Sequence, residues 1–284
     1  MLTFGVRAHD MDKVPFAELI QDIHKREVEC IQLALKKSIT EFNVSNEALT
    51  PGLAAYMKNI LDNNHVNIAV LGCYLNLATP DKIQLEKNIE TYKANIRFAK
   101  YLGCGMVGTE TGALNTKYEF SPENHSDKAL EIFIHNLRDI VTYAEKLGVI
   151  IGIEPVVTHI VSTVERAKAV LDTIDSPNLQ IIFDPVNLIS VDNYKVQEQM
   201  MVDAFDLIGQ EISVIHMKDF LIEGNEKKKA PIGKGMFKLE KLLSLLKEHK
   251  PYIQILMEDI EPSYINEARG YIMDVFHNIR KRAR

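Results

Sequence analysis

Short runs of consecutive apolar residues recur along the chain, separated by longer segments in which apolar residues are spaced as on one helix face. The runs show little polar alternation, which is typical of parallel strands covered on both faces. We predict strands at residues 2–6, 30–35, 66–71, 104–108, 149–153, 179–183, 212–215 and 253–257. The intervening segments predict helices at residues 14–26, 52–63, 82–102, 123–147, 163–174, 195–210, 237–249 and 264–280.

Residues that start and stop helices agree with these boundaries. Gly103 and Gly148 each follow a predicted helix and precede a strand, where glycine commonly ends a helix. Residues 79–81 (Thr-Pro-Asp) and 121–123 (Ser-Pro-Glu) combine a capping side chain with a proline, as helix starts do. The signals therefore support a regular alternation of strand and helix.

Alternation of this kind indicates an α/β protein with a parallel sheet. Eight strand–helix units in 284 residues average about 35 residues each, which suits a (β/α)8 TIM barrel of ~250 residues. An open doubly wound sheet obeys the same alternation but usually carries a glycine-rich phosphate loop after its first strand. Residues 7–10 (Arg-Ala-His-Asp) form no such loop. We predict that residues 1–284 form a single (β/α)8 TIM barrel domain.

Composition argues against several classes of protein. No stretch approaches the ~18 uncharged apolar residues of a membrane span, and the first residues lack the pattern of a signal peptide. Cys30, Cys73 and Cys104 are too few and too scattered for a disulfide framework, so we expect buried thiols in a cytoplasmic protein. The formal net charge of −6 disfavours nucleic acid as a partner.

Two short runs of charge interrupt the pattern. Residues 226–229 read Glu-Lys-Lys-Lys, and residues 280–284 read Arg-Lys-Arg-Ala-Arg. Because like charges favour contact with water, we predict a solvated loop for the first run and a frayed helix end for the second.

Charged side chains end four consecutive predicted strands. Glu154 ends the fifth strand, Asp184 the sixth, His216 the seventh and Glu258 the eighth. The carboxyl ends of barrel strands meet at one face, where the active sites of TIM barrels are built. We therefore expect these four side chains to converge.

Convergence of three carboxylates and one imidazole predicts a metal site. The carboxylates repel one another, and a bound cation relieves that repulsion. The donor set suits one divalent metal ion such as Mn²⁺, Mg²⁺, Co²⁺ or Zn²⁺. Taken singly, each carboxylate can also be a helix cap or a solvated loop residue, and His216 a structural histidine.

Around these residues the chain resembles the xylose-isomerase-like TIM barrels, especially the sugar phosphate isomerase/epimerase group that includes the tagatose and psicose 3-epimerases. The motifs that carry the resemblance are GIEP at Glu154, IIFDPVN at Asp184, VIHMKD at His216 and ILMED at Glu258. Segments 72–76 (GCYLN) and 230–235 (APIGKG) resemble the family's loops after strands three and seven. The resemblance implies that the four residues bind one metal and that Glu154 and Glu258 form the acid–base pair.

The resemblance implies a metal-dependent sugar or sugar-phosphate isomerase or epimerase. The metal would hold a ketose by its carbonyl and hydroxyl oxygens, acidify the neighbouring C–H bond and stabilise an enediolate. One glutamate would remove the proton, and the other would return it to the opposite face of that carbon, giving an epimer. Return to the neighbouring carbon would give aldose–ketose isomerisation. A keto-cyclitol (inosose-type) dehydratase shares the first step and then releases water.

Several positions depart from the epimerase pattern and leave the substrate open. Asn187 stands where the epimerases have a substrate-contacting histidine, Ile160 where they have a second glutamate, and Ile222 where they have an arginine. A non-catalytic sugar- or phosphate-binding barrel is therefore an alternative. An abasic-site endonuclease of the same superfamily is disfavoured, because strand-end histidines are few and the net charge is −6.

Other strand ends supply candidates for substrate binding. They are Arg7, His9, Glu110, His159, Asn187, Lys218 and Lys234. Arg7, Lys218 and Lys234 together suit a phosphate or carboxylate, with inter-loop salt bridges as the alternative. Asp219 is expected to pair with Lys218 or Arg7. The expected partner is a small carbohydrate or sugar phosphate, and homo-oligomerisation through helix faces stays open.

Overall fold

The structure, a computed structural model, describes residues 2–279 of the chain. In that range eight parallel strands close a barrel. They are β1 (Thr3–Arg7), β2 (Cys30–Leu33), β3 (Asn67–Gly72), β4 (Met106–Glu110), β5 (Ile150–Glu154), β6 (Leu179–Phe183), β7 (Ile212–Met217) and β10 (Gln254–Met257). An antiparallel hairpin of β8 (Asp219–Glu223) and β9 (Glu226–Ala230) lies between β7 and β10 in the chain. Parallel pairing of β1 with β10 completes the closure.

Helices between the strands cover the outside of the barrel. They are α1 (Phe16–Lys25), α2 (Leu35–Ser38), α3 (Pro51–Asn63), α4 (Lys82–Leu102), α5 (Asp127–Glu145), α6 (Val164–Ile174), α7 (Gln197–Ile208), α8 (Leu239–His249) and α9 (Ile265–Asn278). Asp81 caps α4 by accepting hydrogen bonds from two backbone N–H groups, and Gly103 ends that helix at φ 74°. Among the helices within residues 2–279, none is both long and apolar enough to span a bilayer.

The α/β barrel predicted from the apolar pattern is confirmed, with differences at the element boundaries. β2 ends at Leu33, and α2 begins two residues later. α5 begins at Asp127, because residues 122–125 form a separate 3-10 turn and the Ser126 hydroxyl caps the helix. The assignment of residues 1–284 to one domain stays a prediction, and the predicted frayed end at residues 280–284 lies outside the described residues.

The prediction of a loop at residues 226–229 is wrong, because these residues form strand β9. Lys227 Nζ donates to the carbonyl oxygens of Val186 and Ile189, at 2.7 and 2.6 Å. Lys229 Nζ lies 2.7 Å from an oxygen of Asp259. The lysines are therefore ties from the hairpin to the loops after β6 and β10. A strand with no apolar face gives no alternation that a sequence pattern can detect.

Side chains at alternate positions of the strands fill the barrel. The apolar members include Cys30, Val70, Met106, Ile182, Val214 and Leu256. Glycine is required at Gly108 and Gly152, since a Cβ there would come within 2.5 Å of Val70 and 2.7 Å of Met106. Because alternation continues along each strand, the next interior positions toward the carboxyl ends face the barrel mouth. They are Arg7, Gln32, Gly72, Glu110, Glu154, Asp184, His216 and Glu258. Apart from Gly72 these residues are polar or charged, so the lining of the barrel changes from apolar to polar at this level.

Candidate active site

The four side chains predicted to bind a metal converge at the floor of the mouth. Glu154 ends β5, Asp184 directly follows β6, His216 lies in β7 and Glu258 directly follows β10. All four are buried, and one ligand atom from each lies within 4.8 Å of the others.

Backbone pairing fixes where these side chains lie. Glu154 is in register with Glu110 of β4, and His216 is in register with Leu256 of β10. The backbone N–H of Glu258 donates to the carbonyl of Met217 at 2.9 Å, which continues the sheet one residue beyond β10. The site is therefore built on strands, which hold side chains more rigidly than loops do.

His216 bridges Glu154 and Glu258. Its Nδ1 lies 2.9 Å from Glu258 Oε1 and 3.2 Å from Glu154 Oε1. Its Nε2 is buried and has no hydrogen-bond partner among residues 2–279. Burial lowers the pKa of His216, but the charges of Glu154 and Glu258 outweigh burial and raise that pKa to about 10. The two glutamates therefore favour the protonated imidazole at His216.

Lys218 and Asn187 connect the remaining carboxylate oxygens. Lys218 Nζ lies 2.8 Å from Asp184 Oδ2, without hydrogen-bond alignment, and 3.1 Å from Glu258 Oε2. The same ammonium donates to Asn187 Oδ1 at 2.7 Å, and Asn187 Nδ2 donates to Glu154 Oε1 at 2.6 Å. Burial lowers the pKa of Lys218, but Asp184 and Glu258 raise it above its ordinary value. One network therefore orients three of the four predicted ligands.

The carboxylates differ in how readily they ionise. Burial raises the pKa of Asp184 to about 6, although the Lys218 charge opposes this effect. Burial also opposes ionisation of Glu258, but His216, Lys218 and Arg7 together hold its pKa well below the ordinary value. Glu258 is therefore a carboxylate throughout the neutral range.

Arg7 is engaged by acidic side chains. Its guanidinium donates to both carboxylate oxygens of Asp10, at 2.8 and 2.9 Å, and to Asp259 at 2.7 Å. A third nitrogen lies 3.4 Å from Glu258 Oε2. Arg7 therefore joins the loops after β1 and β10 and adds positive charge beside Glu258.

The structure does not bring the predicted cation trio together. Lys234 pairs with Glu267 on α9 at 3.2 Å, and its side chain is 60% exposed. Arg7 and Lys218 meet only around Glu258. Lys234 points toward α9 in this arrangement, and a shared anion site for the three cations stays a prediction.

Asp219 does not form the predicted pair with Lys218 or Arg7. Its carboxylate accepts hydrogen bonds from the backbone N–H groups of Gly233, Gly235 and Phe237, at 3.0, 2.9 and 2.9 Å. A Cβ on Gly235 would collide with this carboxylate. Asp219 therefore shapes the proline–glycine loop.

A second polar group lies on the β4 and β5 side of the mouth. Tyr118 donates its hydroxyl proton to Glu110 Oε2 at 3.3 Å, and His159 Nδ1 lies 3.8 Å from the same oxygen. The ring centroids of Tyr118 and His159 are 5.2 Å apart. Burial raises the pKa of Glu110, and Glu258 adds to that effect. Glu110, Tyr118 and His159 therefore form one polar group at the mouth, and their role in binding substrate stays a prediction.

The sequence analysis missed Gln32, Tyr74 and Tyr118 as site residues. Gln32 is the one polar residue in the apolar run 30–35, and its Nε2 contacts the Tyr74 hydroxyl at 2.5 Å. A polar residue at an interior position was the available signal. The two tyrosines lie on loops, where no periodic pattern shows the direction of a side chain. His9, which was predicted, has a buried Nδ1 with no partner among the described residues.

The four converging side chains fit a divalent metal ion. Three carboxylates and one ring nitrogen facing a common point form a donor set for such an ion. Asn187 and Lys218 contact these ligands from outside, as the neighbours of metal ligands commonly do. The His216 ring and the Lys218 ammonium lie against the three carboxylates and offset part of their mutual repulsion.

Comparison with known proteins agrees with this geometry. Residues 20–275 match the family model described as xylose isomerase-like TIM barrel. A curated relative, the probable L-ribulose-5-phosphate 3-epimerase UlaE of Mycoplasma pneumoniae, is 25% identical over 185 residues, or 64% of this chain. The matched segment spans 55% of that relative, just over half its length.

Two solved structures share the fold over nearly the whole chain. A D-tagatose 3-epimerase-like protein has a TM-score of 0.73 and 21% identity, covering 97% of this chain and 98% of its own. The IOLI protein with a binding zinc atom has a TM-score of 0.73 and 17% identity, covering 98% of this chain and 99% of its own. The match to the family model covers most of the chain, and the protein therefore belongs to the xylose isomerase-like TIM barrel family, whose relatives include sugar isomerases and epimerases.

Proposed function

We propose that the protein is a divalent-metal-dependent sugar or sugar-phosphate isomerase or epimerase. The observation that carries the proposal is the convergence of Glu154, Asp184, His216 and Glu258 within 4.8 Å at the buried floor of the mouth. The UlaE relative is named as a sugar-phosphate epimerase, and the IOLI structure contains zinc. Both names support the same class of chemistry for this chain.

The four converging residues would hold the metal through three carboxylates and Nδ1 of His216. When bound, the ion would supply Lewis-acid polarisation of a substrate carbonyl, which acidifies the adjacent C–H bond. Mn²⁺, Mg²⁺, Co²⁺ and Zn²⁺ all suit this donor set. The other steps fall to residues of the chain itself.

Glu154 and Glu258 would move the proton. They stand on β5 and after β10, with β6 and β7 between them in the barrel, so their carboxylates approach the pocket from different sides. One removes a proton from the carbon beside the carbonyl, and the other returns it to the opposite face, giving an epimer. Return to the neighbouring carbon gives an isomer.

Lys218 and Asn187 would orient the two glutamates and balance charge. Lys218 contacts Glu258 and Asp184, and Asn187 contacts Glu154. An amide neither gains nor loses a proton at neutral pH, so Asn187 would position Glu154 without joining the proton transfer. The ammonium of Lys218 would also stabilise negative charge that develops on substrate oxygens.

Solvent deuterium exchange tests the proposal. The protein is loaded with each of the four metals and incubated in D₂O with a panel of ketoses and ketose phosphates. We expect deuterium at the carbon beside the carbonyl, and the product shows whether epimer or isomer forms. Glu154→Gln and Glu258→Gln should abolish exchange, whereas Glu248→Gln, an exposed change on α8, should not. Absence of exchange with every metal and ketose overturns the proposal.

A keto-cyclitol dehydratase is the second candidate, favoured by the position of Lys218. Its ammonium lies 3.1 Å from Glu258 Oε2, so a proton donor stands beside a candidate base. Such a pair can remove a proton and protonate a departing hydroxyl group. Including an inosose in the panel and following loss of water by mass spectrometry distinguishes this reaction from epimerisation. A barrel that only binds sugars would show neither exchange nor water loss.

A further inference from the structure

The polar interior layer of the mouth has one position without a side chain, at Gly72 on β3. The ring of Tyr74 lies there, since a Cβ on Gly72 would be 2.7 Å from Tyr74 Cε2. The Tyr74 hydroxyl reaches the barrel interior, because a Cβ on Gly108 would lie 3.9 Å from that oxygen. Tyr74 therefore takes the place in the layer that Gly72 leaves open.

Gln32 meets Tyr74 at this position and has one end without a partner. The residue is 1% exposed, and its Nε2 lies 2.5 Å from the Tyr74 hydroxyl. Its Oε1 is buried and has no hydrogen-bond partner among residues 2–279. Leaving a buried amide oxygen unpaired is unfavourable, so the arrangement indicates a partner that arrives from outside the chain.

The pair offers the same chemistry whichever way the amide is oriented. With Nε2 toward Tyr74, the hydroxyl proton of Tyr74 and the Oε1 of Gln32 remain free. With the amide turned over, Tyr74 donates to Oε1, and the Gln32 NH₂ and a lone pair of Tyr74 remain free. In both cases one donor and one acceptor remain side by side. A hydroxyl group, which donates once and accepts, matches that pair.

Strand register brings this pair near one of the acid–base residues, because Gln32 is paired with Arg7 of β1 and the Arg7 guanidinium lies 3.4 Å from Glu258 Oε2. Burial raises the pKa of Tyr74 well above its ordinary value, and the charges of Glu154, Glu258 and Glu110 add to the effect. Tyr74 therefore stays a neutral donor. Lys37 Nζ, on α2, lies 5.5 Å from the ring centroid and covers the ring.

We propose that Gln32 and Tyr74 together bind one hydroxyl group of the substrate, close to the reacting carbons, and thereby select which sugars the site accepts. The inference rests on the proposed function, since it takes the substrate to be a polyhydroxy ketone. A sugar without that hydroxyl leaves the buried donor and acceptor unpaired, which is how polar sites reject deoxy analogues.

Deoxy analogues of the ketose that exchanges fastest test the pair. Tyr74→Phe and Gln32→Met should each lower kcat/KM for that ketose by roughly 10-fold, as loss of a hydrogen bond does. The wild type should turn over one monodeoxy analogue more slowly than it turns over the ketose. Tyr74→Phe should turn over that analogue as fast as the wild type does. Tyr56→Phe, on the half-exposed Tyr56 of α3, is the matched control. The proposal is overturned if the variants lower kcat/KM equally for the ketose and for every analogue, or if they do not lower it at all.

Two further measurements separate this inference from folding and from the proposed function. Gln32→Met removes an unpaired buried oxygen but also the hydrogen bond to Tyr74, so its Tm should stay close to that of the wild type. A much lower Tm would indicate a structural residue. If the wild type exchanges no ketose, the proposed function fails, and saturation-transfer NMR with the same panel then tests binding. The same dependence on one hydroxyl should appear there. Equal binding of every analogue by wild type and Tyr74→Phe overturns the inference.

Discussion

At the scale of single residues, Asn187 connects Lys218 with Glu154 in the candidate site. It receives a hydrogen bond from Lys218 and donates one to Glu154, while its backbone N–H bonds to Asp184 at 3.1 Å. The side chain thus fixes the orientation of a predicted ligand without occupying the ligand position. Loss of the side chain alone leaves the backbone contact in place.

Asn187→Ala should therefore weaken metal binding by about 10–100-fold, as loss of an outer partner of a metal ligand typically does. Titration calorimetry with Zn²⁺ or Mn²⁺ measures the change. Asn63→Ala, an exposed substitution on α3, should bind metal as the wild type does. An unchanged metal affinity in Asn187→Ala would mean that Glu154 needs no hydrogen bond from Asn187 in order to bind the metal.

The three thiols are predicted to be inert in the folded protein. Burial raises the pKa of Cys30 and of Cys73 to about 12, and that of Cys104 to about 11. Because the thiolate is the reactive form, labelling by a disulfide reagent at pH 8 should be slow and should accelerate as pH rises. Three thiols should react at once in denaturant. Rapid labelling of the native protein at pH 8 would contradict this burial.

At the scale of elements, the sequence predicts the strands and helices that are marked by a pattern of apolar residues. The barrel strands are continuous apolar runs, so each of the eight appears at its predicted place, and Gly103 marks a helix end that the structure confirms. The hairpin of β8 and β9 was not predicted. Phe220 of β8 packs in the core, but the lysines of β9 tie that strand to backbone carbonyls and a carboxylate, so β9 has no apolar pattern to detect.

Lys227→Met should destabilise the protein by about 1–2 kcal/mol, because it removes two hydrogen bonds to the loop after β6. Tm should fall by roughly 2–4 °C. Lys228→Met is the matched control on the same strand, since Lys228 pairs with Glu223 and both side chains are more than half exposed. Thermal unfolding of both variants, compared with the wild type, measures the two changes in Tm. Equal effects would show that the hairpin is not held through Lys227.

At the scale of the whole molecule, barrel closure brings distant residues to one point. Glu154 and Glu258 are far apart in sequence, yet both contact one nitrogen of His216. That meeting could be predicted, because strand ends in a closed barrel share one face. The contacts of Arg7 and Lys218 with Glu258, and of Asn187 with Glu154, could not be predicted, since the directions of these side chains depend on packing that no periodicity records.

The central claim is that Glu154 and Glu258 move a substrate proton in a metal-dependent reaction. Deuterium incorporation from D₂O into a ketose, compared before chelation, after removal of metal and after its return, tests that claim most directly. We predict exchange that disappears with the metal, returns with it, and is absent in Glu258→Gln that still binds a sugar. Exchange that persists without metal, or in Glu258→Gln at the wild-type rate, would contradict it.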